Sequence, residues 1–170
     1  SVPSLASTWQ AFGWRDWAVT DDERVFGIIS AYRGQYAVQY HRIVEWDIKH
    51  PLAWECISTY DVSSGGYGDY TAISYDRTRD SIWVNHATMK SIIQYEFDGQ
   101  GGYERNGTDY YTYQMSSPNQ VRGMSVHGEN VWFRVYNSWS SDRLEFWRMT
   151  GQPGSNLYKS TSTTIPANGY

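Results

Sequence analysis

Apolar residues in this chain recur at every second position rather than every third or fourth. Ile93-Gln94-Tyr95-Glu96-Phe97-Asp98 and Leu144-Glu145-Phe146-Trp147-Arg148 show the alternation. No stretch sustains apolar residues at i, i+3, i+4 and i+7 with caps at both ends, so the pattern predicts strands and no helix. The strands fall into three segments with one rhythm: a short apolar strand, a polar turn, an aromatic strand, a loop and a strand of alternating character. The first runs Ala18-Val19-Thr20, Asp21-Asp22-Glu23, Arg24-Val25-Phe26 and Ile43 to Ile48. The second runs Ala72 to Tyr75, Asp76 to Asp80, Ile82-Trp83-Val84 and Ile92 to Asp98. The third runs Gly123 to Val126, His127 to Asn130, Val131-Trp132-Phe133 and Leu144 to Arg148. Trp83 corresponds to Trp132, and Trp46 to Tyr95 and Phe146, at a period of about fifty residues.

Each segment continues with a polar connection and one more strand-like run: Ala53 to Tyr60, Asp109 to Met115 and Leu157 to Ile165. The expected unit is therefore four antiparallel strands, in an all-β chain forming a single domain over 1–170. The repeats occupy 16–60, 69–115 and 121–165, with 1–15 as an N-terminal extension or closing strand. Phrases such as Ile73-Ser74-Tyr75-Asp76, Ser81-Ile82-Trp83-Val84 and Ile93 to Gly99 resemble blades of NHL-like and SMP-30-like β-propellers, over roughly residues 16 to 165. The resemblance implies a propeller-blade architecture and leaves activity open, because propellers host many functions. Ala18, Ala72 and Gly123 are expected at one equivalent place on the inner strands, where blades crowd a central axis. Propellers usually have about four to eight blades, and three do not close a ring. Two arrangements follow: two copies closing a six-bladed ring, or a part of a larger propeller. A three-repeat sandwich or open meander is the third.

Composition agrees with strands. Nine Trp and fifteen Tyr are many for 170 residues, and aromatic side chains favour sheets. A net charge of −4 with no basic run argues against a nucleic-acid surface. No window approaches 18 consecutive apolar residues, so no membrane-spanning helix is expected. Cys56 is the only cysteine, which precludes an internal disulfide and suggests a small buried hydrophobe. Low charge and abundant Tyr, Trp, Ser, Thr, Asn and Gly suggest an extracellular or cell-surface location. Asn106-Gly107-Thr108 fits a glycosylation sequon.

In a propeller, ligands meet the face built from the loops between second and third strands and from the connections between blades. The resemblance places these at Ala31 to His41, Asn85 to Lys90, Asn137 to Asp142, Gly13 to Asp16, Asp61 to Asp69 and Ser116 to Arg122. The candidate ligand-binding residues there are Trp14, Arg15, Tyr32, Arg33, Tyr36, Tyr67, Asn85, His86, Arg122, Asn137 and Trp139. Aromatic faces for stacking, beside amides and charges for hydroxyl groups, are the mixture a sugar ring requires. The same composition also suits a protein interface. Trp46, Trp54, Trp83, Trp132 and Trp147 are expected to pack between repeats.

Catalytic signals are sparse. His41, His50, His86 and His127 form no His-x-x-x-His pair, no Gly-x-Ser-x-Gly occurs, and Asp21-Asp22-Glu23 does not match an EF-hand. No catalytic residue, metal or cofactor is assigned. The expectation is a non-catalytic extracellular module that binds carbohydrate or a glycan-bearing surface and associates with a second copy. One alternative is a structural subunit joined through open sheet edges. The other is a fragment of a propeller hydrolase or lyase, which requires a carboxylate beside His86 or His41.

Overall fold

The computed structural model describes residues 11–33, 38–47, 55–61, 70–97, 103–116, 119–137 and 140–165, with side chains at 15–28, 43–45, 70–96, 109–116, 119–136 and 142–165. Among the described residues the chain is all-β, with twelve strands in three four-stranded antiparallel sheets. Sheet 1 contains β1 (Ala11–Val19), β2 (Arg24–Arg33), β3 (Val38–Asp47) and β4 (Glu55–Asp61). Sheet 2 contains β5 (Tyr70–Asp76), β6 (Ser81–His86), β7 (Ser91–Phe97) and β8 (Tyr103–Thr112). Sheet 3 contains β9 (Gln120–His127), β10 (Asn130–Asn137), β11 (Ser140–Met149) and β12 (Leu157–Thr164). Each is a simple meander in chain order. No helix among the described residues is long and apolar enough to cross a membrane.

Strands extend further than the turn signals suggest. In the stretch Ala31 to His41, expected as a loop, Ala31, Tyr32 and Arg33 pair with Tyr40, Gln39 and Val38. Alternating side chains and the absence of Pro let the ladder continue there. Hairpin turns close on left-handed residues: Glu23 (φ 65°), Asp80 (φ 46°), Lys90 (φ 47°) and Gly128 (φ 59°).

The sheets stack in chain order, with the first strands β1, β5 and β9 side by side. One core lies between sheets 1 and 2 and includes Phe26, Ile28, Ile43, Ile73, Ile82, Val84 and Tyr95. The other lies between sheets 2 and 3 and includes Ala72, Trp83, Ile92, Tyr113, Val131, Phe133 and Trp147. Sheet 2 is covered on both faces, so every residue of β6 is buried. Sheets 1 and 3 are covered on one face by sheet 2. Accordingly β9 alternates between buried and exposed, and β12 is exposed beyond Leu157.

Register places the repeats in correspondence. The third residue of the second strand is Phe26, Trp83 or Trp132, opposite Ala18, Ser74 or Ser125 on the first strand. Phe26 and Trp83 point at the next sheet in the row and are 0% and 1% exposed. Trp132, at the same place in sheet 3, has no next sheet among the described residues and is 43% exposed. The expectation that Trp132 packs between sheets is thus corrected, whereas Trp83 and Trp147 do so. The inner small residues resolve into two sets: Ala18 aligns with Ser74 and Ser125, while Ala72 and Gly123 align with Asp16. On the third strand, Trp46 and Tyr95 correspond to Trp147 rather than Phe146. Trp46 lies on β3 and Cys56 on β4, with side chains outside the described set, and Trp54 lies outside the described residues.

Side-chain acceptors join the sheets. Asp16 Oδ2 on β1 accepts the Ile73 N–H of β5 at 2.9 Å, and Ser74 Oγ accepts the Val126 N–H of β9 at 2.9 Å. Burial raises the Asp16 pKa above its usual value, opposed by its hydrogen bonds from Ile73 and Trp17. Asp76 Oδ1 accepts from Thr78 N–H (3.1 Å), Thr78 Oγ1–H (2.8 Å) and Gly128 N–H (3.1 Å). Buried Glu45 pairs with Arg24. Buried Glu145 meets Lys159 Nζ at 2.8 Å, Arg143 Nη2 at 3.3 Å and the Trp147 indole N–H at 3.1 Å.

Candidate functional site

Each first strand carries a β-bulge at the same place. Register skips one residue between Trp14 and Asp16, between Tyr70 and Ala72, and between Val121 and Gly123. The surplus residues are Arg15, Thr71 and Arg122. A bulge leaves its extra residue outside the ladder and re-aims its side chain. Because β1, β5 and β9 lie side by side, the three bulges converge. Arg15, Thr71, Arg122 and Gln120 line one open recess of about 250 Å³.

A second recess, of about 240 Å³, adjoins it and shares Thr71 and Gln120. Tyr113, Met115, Lys90, Thr88 and Asn119 contribute to its walls. Together they form a groove across the ends of the first strands of sheets 2 and 3. Among the described residues, no carboxylate lines either recess. Asp16 adjoins Arg15 in sequence, but its carboxylate is bonded to the backbone of Trp17 and Ile73.

Neighbouring groups hold the lining in place. The Tyr113 hydroxyl donates to Asn85 Oδ1 at 2.8 Å, and Asn85 Nδ2 donates to Thr71 Oγ1 at 2.7 Å. Burial pushes the Tyr113 pKa up to about 12, partly offset by its bond to Asn85, so the phenol stays protonated and remains a donor. The Arg122 guanidinium stacks on Tyr136 at 3.7 Å from the ring centre and donates to Gln120 Oε1 at 3.3 Å. Lys90 Nζ donates to the Met115 carbonyl at 2.9 Å. Asn119 Oδ1 accepts from Arg143 Nη2 at 3.2 Å.

The structure brings two sequence candidates, Arg15 and Arg122, into one recess, 107 positions apart in name only once the sheets stack. Asn85 and His86 lie at the end of β6 rather than in a loop, and both are buried. Asn85 acts on the groove through Thr71. His86 faces Tyr70 edge-on at 5.0 Å and accepts the Met89 N–H at Nδ1. Trp14, Tyr32, Arg33 and Asn137 fall on β1, β2 and β10, with side chains outside the described set. Tyr36, Tyr67 and Trp139 lie outside the described residues. His41 is on β3 without a described side chain, so its pairing with His86 is not placed. Among the described residues no three metal-ligating side chains cluster.

Thr71 and Gln120 were not singled out by sequence. The signal for Thr71 was its position one residue before Ala72, matching Arg122 before Gly123. The equivalent of Ala72 and Gly123 in the first repeat is Asp16, two residues before Ala18, which makes Arg15 the third member of the set. No protein-family model matches the chain, and no curated protein matches it.

Proposed function

We propose that this chain is a non-catalytic binding module that holds carbohydrate in the groove at the three bulges. The observation carrying this reading is the convergence of Arg15, Thr71 and Arg122 from three equivalent bulges into one recess. Two adjoining recesses sharing Thr71 and Gln120 suit an oligosaccharide better than a single small molecule. Hydroxyl, amide and guanidinium groups of Thr71, Gln120 and Arg122 provide polar contacts for sugar hydroxyls. A glycan array probed with the full chain is expected to return sugar ligands. Thr71→Val, which keeps volume and removes the hydroxyl, should weaken them about fivefold. An array without a sugar ligand overturns the carbohydrate reading.

A second reading concerns the fold and its partner. The sheets are proposed as propeller-like blades whose open row is covered by a second copy stacking head to tail. Trp132 and Leu144 favour it. They are exposed, yet correspond by register to buried Phe26 and Trp83, and to buried Ile43 and Ile92. Trp17 and Val19 are exposed on the opposite end of the row, pointing away from sheet 2. Such unlike faces make a heterologous contact, which closes only at particular rotations. Light scattering is expected to give the mass of a dimer, and Trp132→Glu a monomer with unchanged circular dichroism. A wild-type monomer overturns this reading.

A further inference from the structure

We infer that a second copy of this chain docks by laying its β1 along β9, with its Val19 seated on Ser125 and Trp132. The inference rests on the head-to-tail reading above and adds the register of the contact. The joint between sheets 2 and 3 is the template. There Ser74 and Trp83 face each other across β5 and β6. Ser74 Oγ accepts the Val126 N–H of β9 at 2.9 Å, and Val126 shares a core with Trp83. All three residues are buried. The same three residue types recur, divided between sheets 3 and 1. Ser125 and Trp132 are the corresponding pair across β9 and β10. Val19 corresponds to Val126, since each lies opposite the second residue of its second strand, Val25 or Val131. These three residues are exposed. The joint between sheets 1 and 2 uses Ala18, Phe26 and Tyr75 at the same places, so stacking as such does not require the set.

The backbone of Val19 is oriented for this contact. The neighbouring Thr20 N–H bonds to the Arg24 carbonyl at 2.9 Å, and bonded pairs alternate with non-bonded pairs along an antiparallel ladder. Val19 and Val25 are therefore a non-bonded pair, and the Val19 N–H points away from β2. The Val126 N–H points away from β10 in the same way, and Ser74 accepts it. Val19 also follows the bulge of β1 at the interval at which Val126 follows the bulge of β9. A second copy thus brings a first strand of the required shape, with the valine and the outward donor in register. Ser125 accepts the Val19 N–H as Ser74 accepts that of Val126, and Trp132 is covered as Trp83 is. The donor end and the acceptor end differ, so the contact joins unlike faces.

The experiment is disulfide crosslinking between two variants of the full chain, Val19→Cys and Ser125→Cys, with light scattering of the unsubstituted chain in parallel. Each variant is oxidised alone and in an equal mixture, and covalent dimer is read on a non-reducing gel. The unsubstituted chain, with Cys56 alone, sets the background. Both substituted positions are exposed, and circular dichroism reports that each variant folds. A side chain that reaches its neighbour's backbone N–H places the two residues within disulfide range, so the mixture is expected to yield about fivefold or more covalent dimer than either variant alone. A dimer by light scattering, without excess crosslinking in the mixture, overturns this register and leaves the head-to-tail reading standing. Crosslinking of Ser125→Cys alone as strong as in the mixture shows like faces meeting, and overturns both. A monomer by light scattering also overturns both.

Discussion

Trp83→Ala is expected to cost about 3–5 kcal/mol of stability, and Trp132→Ala about 1 kcal/mol or less. The two residues hold the same place in their repeats, so the contrast isolates burial from local geometry. Trp83 sits in the core between sheets 2 and 3, with its ring 6.2 Å from that of Tyr111 and Arg79 above it at 5.8 Å. Removing the indole leaves a cavity that sheet 2, covered on both faces, is poorly able to collapse. Trp132 leans on Phe146, at 4.7 Å between ring centres, and its outer side is open. Urea unfolding of the two variants measures the difference. Equal losses would contradict the difference in burial between the two positions. If a second copy covers sheet 3, the loss at Trp132 appears in dimer dissociation instead of unfolding.

The second large effect is expected at Asp76. Replacing it with alanine should cost about 3 kcal/mol, because several groups lose an acceptor together. The Thr78 N–H and hydroxyl close the β5–β6 turn on its carboxylate, and the Gly128 N–H ties the β9–β10 turn to the same oxygen. Arg79, 3.6 Å from the other oxygen, would lose its counter-charge. Asp76→Asn separates the contributions. Its carbonyl retains the three hydrogen bonds, and its amide puts a donor towards Arg79, so its cost should be about 1 kcal/mol. Denaturant melts of both variants test this. A loss as large for asparagine as for alanine would assign the effect to charge and not to the turn.

Sequence alone conveyed the architecture because it is written in side-chain alternation. The three meanders, their order and the correspondence of Trp83 with Trp132 follow from period-two runs and polar turns. Burial did not follow, because Trp83 and Trp132 are identical letters in similar phrases. Only the position of a sheet in the row determines that one is covered and the other is not. The site was partly legible. Arg15 and Arg122 stood out as charges entering the inner strands. Thr71 carries no such mark, and a bulge adds a residue without disturbing the apolar pattern around it. Asn85 and His86 looked like loop residues because polar side chains ended an apolar run. In the fold Asn85 is a buried link between Tyr113 and Thr71. His86 is buried against Tyr70.

The three bulges separate two kinds of information in the first strands. Paired residues carry the instructions for register, and a change there propagates through a whole sheet. Arg15, Thr71 and Arg122 stand outside that pairing. Their identities are free to vary while every ladder stays aligned and both cores stay filled. A descendant of this chain with three other side chains at these positions would keep the same scaffold and line its recess with different chemistry.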